Sequence, residues 1–430
     1  MDAVEKKKPV FTRYEVLVIA ILALTQFTVV LDFMVLSPLG AMLMEELKIT
    51  TSQFGNVVSA YAFSAGISGL LTAGFADKFD RKKLLLFFYT GFIIGTFLCA
   101  IAPDYTFLLL ARIVTGLFGG VISSISFAII TDLFKMEVRG RVMGFAQMAF
   151  GVSQVLGIPV GLILANKFGW HSPFMMIVGL AVLIGLVIFI FLKPVDAHLK
   201  LKSDRSAFQH LIKTISTPDY LRGFMATVLL ATGGFMLMPF GSAFSIHNLG
   251  LTQEQLPWVY GITGIFSVIF GPIMGKLSDK LGKYKLFVIG SIMTMLMIAI
   301  YTRLGVTPLW QVISLNVVLF VGISSRMISA SALMTAVPAP QDRGAFMGIN
   351  ASIQQLSGGV AAFVVGKIVI QNGDGPLGNY PMLGYVVLGS MVITIFMMWR
   401  INKQVAHKLH QKPLTPPPAP AVEEAVAKAE

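Results

Sequence analysis

Residues 73–85 read AGFADKFDRKKLL, and residues 275–287 read GKLSDKLGKYKLF. Aligning Asp77 with Asp279 sets an offset of 202 residues and also pairs Lys78 with Lys280 and Leu84 with Leu286. A second pair of stretches, VRGRVMG at 138–144 and DRGAFMG at 342–348, matches Arg139, Gly140 and Gly144 with Arg343, Gly344 and Gly348 at an offset of 204. Two echoes at nearly one offset indicate an internal duplication.

Outward from these basic stretches the chain is apolar. A helix needs about 20 apolar residues to cross a bilayer, and twelve runs approach or exceed that length. The first six cover roughly 14–39, 53–74, 84–102, 106–130, 142–165 and 174–191, and the second six roughly 224–247, 258–274, 286–301, 309–336, 345–370 and 382–399. The eighth and ninth are short and are expected to extend into their flanks. A barrel would instead show alternating segments of about ten residues. Composition agrees: of 430 residues 55% are hydrophobic and 13% charged, against about 25% charged in a soluble domain. The 33 Lys and Arg, 21 Asp and Glu and 6 His cannot clothe a soluble protein of this length. The expected fold is an all-α integral membrane protein, with twelve transmembrane helices in two pseudo-symmetric six-helix bundles.

Basic residues set the orientation. With the N-terminus in the cytoplasm, 27 of the 33 Lys and Arg fall on inner segments and only Lys48, Lys167, Arg303 and Lys367 on outer ones. Both termini are therefore expected in the cytoplasm. This asymmetry explains the net charge of +12 without a nucleic-acid partner. The expected division is a cytoplasmic N-terminus at 1–13, a first bundle at 14–192, a basic cytoplasmic linker at 193–222, a second bundle at 223–400 and a tail at 401–430. The linker carries an amphipathic pattern (Phe208, Leu211, Ile212, Ile215) that predicts an interfacial helix. The Pro- and Ala-rich end of the tail has the composition of disorder. The single cysteine, Cys99, excludes an intramolecular disulfide. No cluster of His, Cys, Asp or Glu has metal-ligand spacing, and no G-x-x-x-x-G-K-[ST] loop is present. Neither a metal, a cofactor, an ATP-driven pump nor an enzyme is expected.

The duplicated loop resembles the G-x-L-x-D-R-x-G-R-[RK] signature of the major facilitator superfamily. The copy from Gly275 to Lys285 fits closely. The first copy keeps Asp77, Arg81 and Lys82 but has Ala73, Phe75 and Asp80 where the signature has Gly, Leu and Gly. The resemblance implies a conformational latch, with Asp77 and Arg81 joining Asp132 and Arg139 at one turn and Asp279 and Lys283 serving in the second half. The alternative is a merely solvated basic loop. ARIVTGLFGG at 111–120 is similar to the R-x-x-x-G pattern of proton-coupled members. Gly144, Gly151, Gly157, Pro159 and Gly161, in GFAQMAFGVSQVLGIPVGL, resemble the antiporter motif of drug, purine and sugar-efflux members in a G-x-P-x-G variant. Small residues allow close helix approach and proline allows a kink; ordinary packing is the competing reading.

An ionisable group at the bilayer centre costs roughly 2.5–3.5 kcal/mol on insertion scales. Three lie inside spans: Asp32, Arg112 and Arg326. Thr25, Thr28 and Asp32 form one polar stripe on the first span, expected to face a water-filled cavity. Burial favours the protonated form of a carboxyl and an adjacent arginine the charged form, so an Asp–Arg pair can be poised for proton exchange. By resemblance Arg112 is the partner of Asp32. The competing reading is a static pair that fixes helix packing. Arg326 has no acidic partner in the second half's spans and is expected to face the cavity and bind substrate, against a structural or gating role. Asn350, Gln354 and Gln355 in the eleventh span, with Gln147 and Gln154 in the fifth, offer uncharged donors and acceptors for a polar ligand; interhelical hydrogen bonding explains them equally. Tyr61 and Asn316 are further cavity candidates. The reading is a monomeric secondary transporter of a small organic solute in a cell membrane, exchanging it for protons in the efflux direction. Uptake without antiport, or a transporter-derived sensor, is the alternative.

Overall fold

A lipid-embedded backbone must satisfy its own polar groups, which a helix does within one segment. The computed structural model describes residues 11–72, 75–196, 199, 207–339, 342–371, 373 and 375–410, and the expected tail therefore lies largely outside the described residues. Thr12 and Glu15 form a reciprocal capping box that starts α1 (Arg13–Val35), the Glu15 carboxylate accepting from the Thr12 amide at 2.7 Å. A turn through Pro38 leads into α2 (Gly40–Glu46), so the first expected span is broken near its end. There follow α3 (Thr51–Thr72), α4 (Arg81–Ala100), α5 (Tyr105–Leu133), α6 (Met136–Val152), α7 (Ile158–Phe168) and α8 (His171–Phe191). The carboxylates of Asp80 and Asp104 accept from the amides of Lys83 and Phe107 and cap α4 and α5. Asp80, the departure from the loop signature, thus has a local role as a helix start.

In the linker, α9 (Ala207–Ser216) matches the amphipathic stretch expected there. The second half comprises α10 (Pro218–Leu237), α11 (Gly241–His247), α12 (Leu256–Leu281), α13 (Lys283–Tyr301), α14 (Leu309–Met334), α15 (Arg343–Ile368) and α16 (Tyr380–His410). A small antiparallel pair, β1 (Ile370–Gln371) with β2 (Leu377–Gly378), joins α15 to α16 and was not expected. Counting α1–α2, α6–α7 and α10–α11 as one pass each, the described residues make twelve passes. Eleven are long and apolar enough to cross a membrane; α15, diluted by Asn350, Gln354 and Gln355, is the other. As expected, the eighth and ninth passes run beyond their apolar runs, over α12 and α13.

The halves pack alike. In the first, α3 and α4 lie on α5, α4 on α8, and α1 on α6 and α8; in the second, α12 and α13 lie on α14, α13 on α16, and α10 on α15 and α16. The halves meet along α3 with α15, along α6–α7 with α12, and through α2 with α11. We call the end where α1 begins and α16 ends the termini face, and the other the far face. At the far face the halves are tied together. The Ser37 hydroxyl donates to the Met238 carbonyl, Ser242 to the Ser37 carbonyl at 2.8 Å, Thr51 to the Val369 carbonyl at 2.7 Å and the Asn166 amide to the Gln253 carbonyl at 3.0 Å. A Cβ on Gly55 would lie 2.8 Å from the Ala362 carbonyl oxygen, so α3 and α15 approach backbone to backbone. At the termini face, nothing lies within 4 Å of a Cβ built on Gly144, Gly271, Gly275, Gly344 or Gly348. Among the described residues the hydrogen bonds between the halves thus gather at the far face, while α3 and α15 stay packed toward the termini as far as Gly69 and Ser352.

Candidate functional site: a buried ion pair in the first half

Asp32 comes from α1 and Arg112 from α5. Arg112 Nη1 donates to Asp32 Oδ2 at 2.8 Å, and both side chains are fully enclosed. Thr96 of α4 donates to the other carboxylate oxygen at 3.2 Å. The Arg112 guanidinium lies 4.5 Å from the centre of the Tyr61 ring. Its Nε and Nη2 find no hydrogen-bond partner. One carboxylate therefore meets one guanidinium and one hydroxyl, and two nitrogens of the arginine are left over. A buried charge pair is costly to desolvate and strongly destabilising to break by removing one partner.

The polar stripe of α1 is placed differently from expectation. Thr25, Thr28 and Asp32 are all enclosed rather than facing an open cavity. The Thr25 hydroxyl donates to the Ile21 carbonyl, Thr28 to the Thr25 carbonyl, and Thr28 and Tyr89 hydroxyls are 3.0 Å apart. These groups satisfy one another within the half. Aromatic rings close the site on the side of the second half: Phe33 packs on Tyr61 at 5.4 Å and on Phe235 of α10 at 5.7 Å.

Six residues before Asp32 in α1, Gln26 is buried, accepts from the Ser123 hydroxyl at 2.9 Å and leaves its amide nitrogen unpartnered. Gln26, Thr96 and Ser123 were absent from the sequence reading. The signal that could have found Gln26 is the one used for Asp32, a strongly polar side chain deep in an apolar run. Thr96 and Ser123 carry no such signal, because hydroxyls satisfy themselves on their own helix and are common in spans.

Arg326 of α14 is buried against α13 within the second half. Its Nε donates to the Ser291 hydroxyl at 3.1 Å, its guanidinium lies 5.7 Å from the Phe287 ring, and Nη2 is unpartnered. Asn350 accepts from the Thr227 hydroxyl of α10 at 2.5 Å, while Gln354, Gln355 and Gln154 are half-buried. The side chain of Gln147 lies outside those described, as does that of Asp77. Among the described residues, no hydrogen bond or ion pair joins Arg326, Asn350, Gln154, Gln354 or Gln355 to the Asp32–Arg112 pair. In the expected latch, Arg81 Nε meets Asp132 at 3.2 Å. Arg139 donates to the carbonyls of Phe134 and Thr131 at 2.8 and 2.5 Å, closing the α5–α6 turn. Asp279 and Lys283 are exposed at the termini face.

The glycine motif divides between two neighbours across a π-helical turn at Ser153–Gly157. A Cβ on Gly157 would lie 2.5 Å from Leu31 of α1, and one on Gly161 3.2 Å from Val35. Gly151 faces Val268 of α12, and Pro159 packs on Gly261 of the same helix, whereas Gly144 is open. The motif thus sits where the first half meets both its own α1 and the other half.

The sequence pattern of the Major Facilitator Superfamily matches residues 22–362 and 223–428. The chain belongs to this superfamily. It is a multi-pass membrane transporter. An uncharacterized MFS-type transporter of Bacillus subtilis (strain 168), YceJ, is 28% identical over 284 residues, 66% of this chain and 71% of that protein. Multidrug resistance protein 3 of the same strain is 33% identical over 152 residues, covering 35% of this chain and 30% of that protein. A probable sugar efflux transporter of Helicobacter pylori (strain G27) is 24% identical over 238 residues, 54% of this chain and 59% of its own. Among solved structures, the nucleoside transporter NupG superposes with a TM-score of 0.71 at 16% identity, covering 90% of this chain and 99% of its own. A bacterial homologue of the human lysosomal transporter Spinster superposes with a TM-score of 0.68 at 16% identity, covering 92% of this chain and 97% of its own.

Proposed function

We propose that this transporter expels a small organic solute in exchange for protons, with Asp32 as the proton site and Arg112 as its counter-charge. The observation that carries the reading is the isolated 2.8 Å pair, fully enclosed and short of hydrogen-bond partners. A proton taken up on the Asp32 carboxylate removes the negative partner of Arg112 and weakens the tie between α1 and α5. Loss of that proton restores it. The efflux direction draws its support from the names of the multidrug and sugar-efflux relatives. In this reading the termini face is cytoplasmic, the chain acts as a monomer between its two six-helix halves, and neither a cofactor nor an enzymatic step is used. Arg326, Asn350, Gln354, Gln355, Gln147 and Gln154 are the proposed substrate contacts. The pairs around Asp77, Arg81, Asp132, Arg139, Asp279 and Lys283 are the proposed latch of the termini face.

The test is proton movement in acid-loaded everted vesicles carrying the protein, challenged with cationic, neutral and anionic compounds. Compound-triggered proton release, absent in Asp32→Asn vesicles, is the expected result and also names the substrate class. Compound flux without proton release in the unaltered protein would replace antiport by facilitated passage.

A further inference from the structure

At the termini end of the second half, α13 and α16 leave a groove open to the lipid-facing surface, lined by Tyr284, Val392, Ile395, Phe396 and Trp399. Its residues on α16 recur every three to four positions and so form one stripe along the helix. Val392 is 58% and Phe396 53% exposed, so no protein element covers it among the described residues. The stripe ends in two cations. Arg400 lies over the Phe396 ring at 5.2 Å, and the Lys403 ammonium over the Trp399 ring at 4.0 Å. The two rings stack with centroids 5.7 Å apart. The cations are thereby held at the mouth of the groove, and no carboxylate pairs with either among the described residues. The matching seam of the first half, α4 against α8, is bridged by the chain itself. There Lys82 donates to the Phe189 carbonyl at 2.9 Å and lies over the Phe189 ring. Position 284, aligned with Lys82 by the 202-residue offset, is a tyrosine; its hydroxyl donates to the Ile395 carbonyl of α16 at 3.5 Å, and these two residues line the groove in place of a cation that would close it.

We infer that this groove is a binding site for an anionic phospholipid of the termini-face leaflet. An acyl chain lies along Val392, Ile395 and Phe396, and the phosphate meets Arg400 and Lys403. The apolar slot matches a chain, and two cations at one end, without a carboxylate partner among the described residues, match a lipid of net negative charge. Each basic residue near a membrane surface contributes about 1 kcal/mol toward anionic lipid, so the pair gives a preference of about thirtyfold over zwitterionic lipid.

The test is native mass spectrometry of the full chain in neutral detergent, titrated with phosphatidylglycerol, phosphatidylcholine of the same chains, or inorganic phosphate. Phosphatidylglycerol adducts are expected to form at far lower concentration than phosphatidylcholine adducts, and phosphate alone is expected not to compete. In an R400Q/K403Q variant, altered only at exposed positions, the preference is expected to fall at least tenfold. Val392→Trp, which fills the slot and leaves both cations, is expected to weaken both lipids. Equal affinity for the two lipids, an unchanged preference in R400Q/K403Q, competition by inorganic phosphate, or a two-chain species lost with Val392→Trp would each overturn the assignment.

Discussion

The Asp32–Arg112 pair sets the sharpest expectations for single residues. Removing either partner leaves a buried charge without its opposite, at a cost of about 3–5 kcal/mol. Arg112→Gln is therefore expected to lower the unfolding midpoint in detergent sharply. The D32N/R112Q double variant is expected to recover much of that loss, because the buried charge goes with its partner. A midpoint for the double variant equal to the sum of the two single losses would mean that the two side chains do not act as a pair. Thr96→Val removes one hydrogen bond to the carboxylate and no charge. Its expected effect is smaller, about 1–3 kcal/mol in stability, with a shifted pH profile for compound-triggered proton release and no loss of that release. Asp32 and Arg112 were legible because a charge in an apolar run demands a reason. Their mutual contact was reached only through the family resemblance, since residues 80 apart carry no spacing signal.

Among the helices, α3 and α15 form the tightest contact between the halves. A side chain on Gly55 would meet the Ala362 carbonyl oxygen and the Gly366 Cα, and neither backbone atom can give way. Gly55→Val is expected to destabilise by about 1–3 kcal/mol through overpacking and to part the far-face ends of these helices. The measurement is maleimide labelling of Thr51→Cys, a buried far-face position, with and without Gly55→Val. Faster labelling in the doubly altered chain is expected; an unchanged rate would show that the helices accommodate the valine elsewhere. The glycines of α6–α7 were recognisable as packing residues from their type. That Gly157 and Gly161 serve α1 while Gly151 and Pro159 serve α12 depends on which neighbour each face of the helix meets, and that is set by the packing of α1 and α12 on its two sides.

Between the halves, hydrogen bonds gather at the far face, and glycines with open space around them lie at the termini face. Cys99 is fully buried and is the sole cysteine, so introduced cysteines report on a silent background. Gly144→Cys and Gly275→Cys are expected to react with an aqueous maleimide at least tenfold faster than Thr51→Cys. A substrate that drives the halves to the opposite arrangement is expected to reverse that order. Phe235 sits across the seam on Phe33, which covers Tyr61 and through it Arg112. Rocking of α10 away from α1 would take Phe235 off this stack, while Phe33 and Tyr61 stay with the first half. Phe235→Ala is accordingly expected to raise compound-independent proton leak in vesicles, while a leak equal to that of the unaltered protein would show that Phe33 and Tyr61 cover the pair without it.

The residues alone determined the membrane, the twelve helices, the duplication and three charges that need an explanation. Each follows from chemistry local to a short stretch: an apolar run of span length, a repeated loop, an ion where lipid should be. The helix breaks at Pro38 and Pro239 and the small β pair escaped this reading, because apolar side chains continue through a break that only backbone geometry reveals. What the tertiary structure decided is which polar groups meet. The threonine stripe of α1 turned out to be packed on α4 and not exposed to water, and Arg326 to be set against Ser291 and Phe287. Periodicity tells which residues share a helical face. Which neighbour that face meets depends on rotation and crossing of helices far apart in the chain, and no single span encodes that.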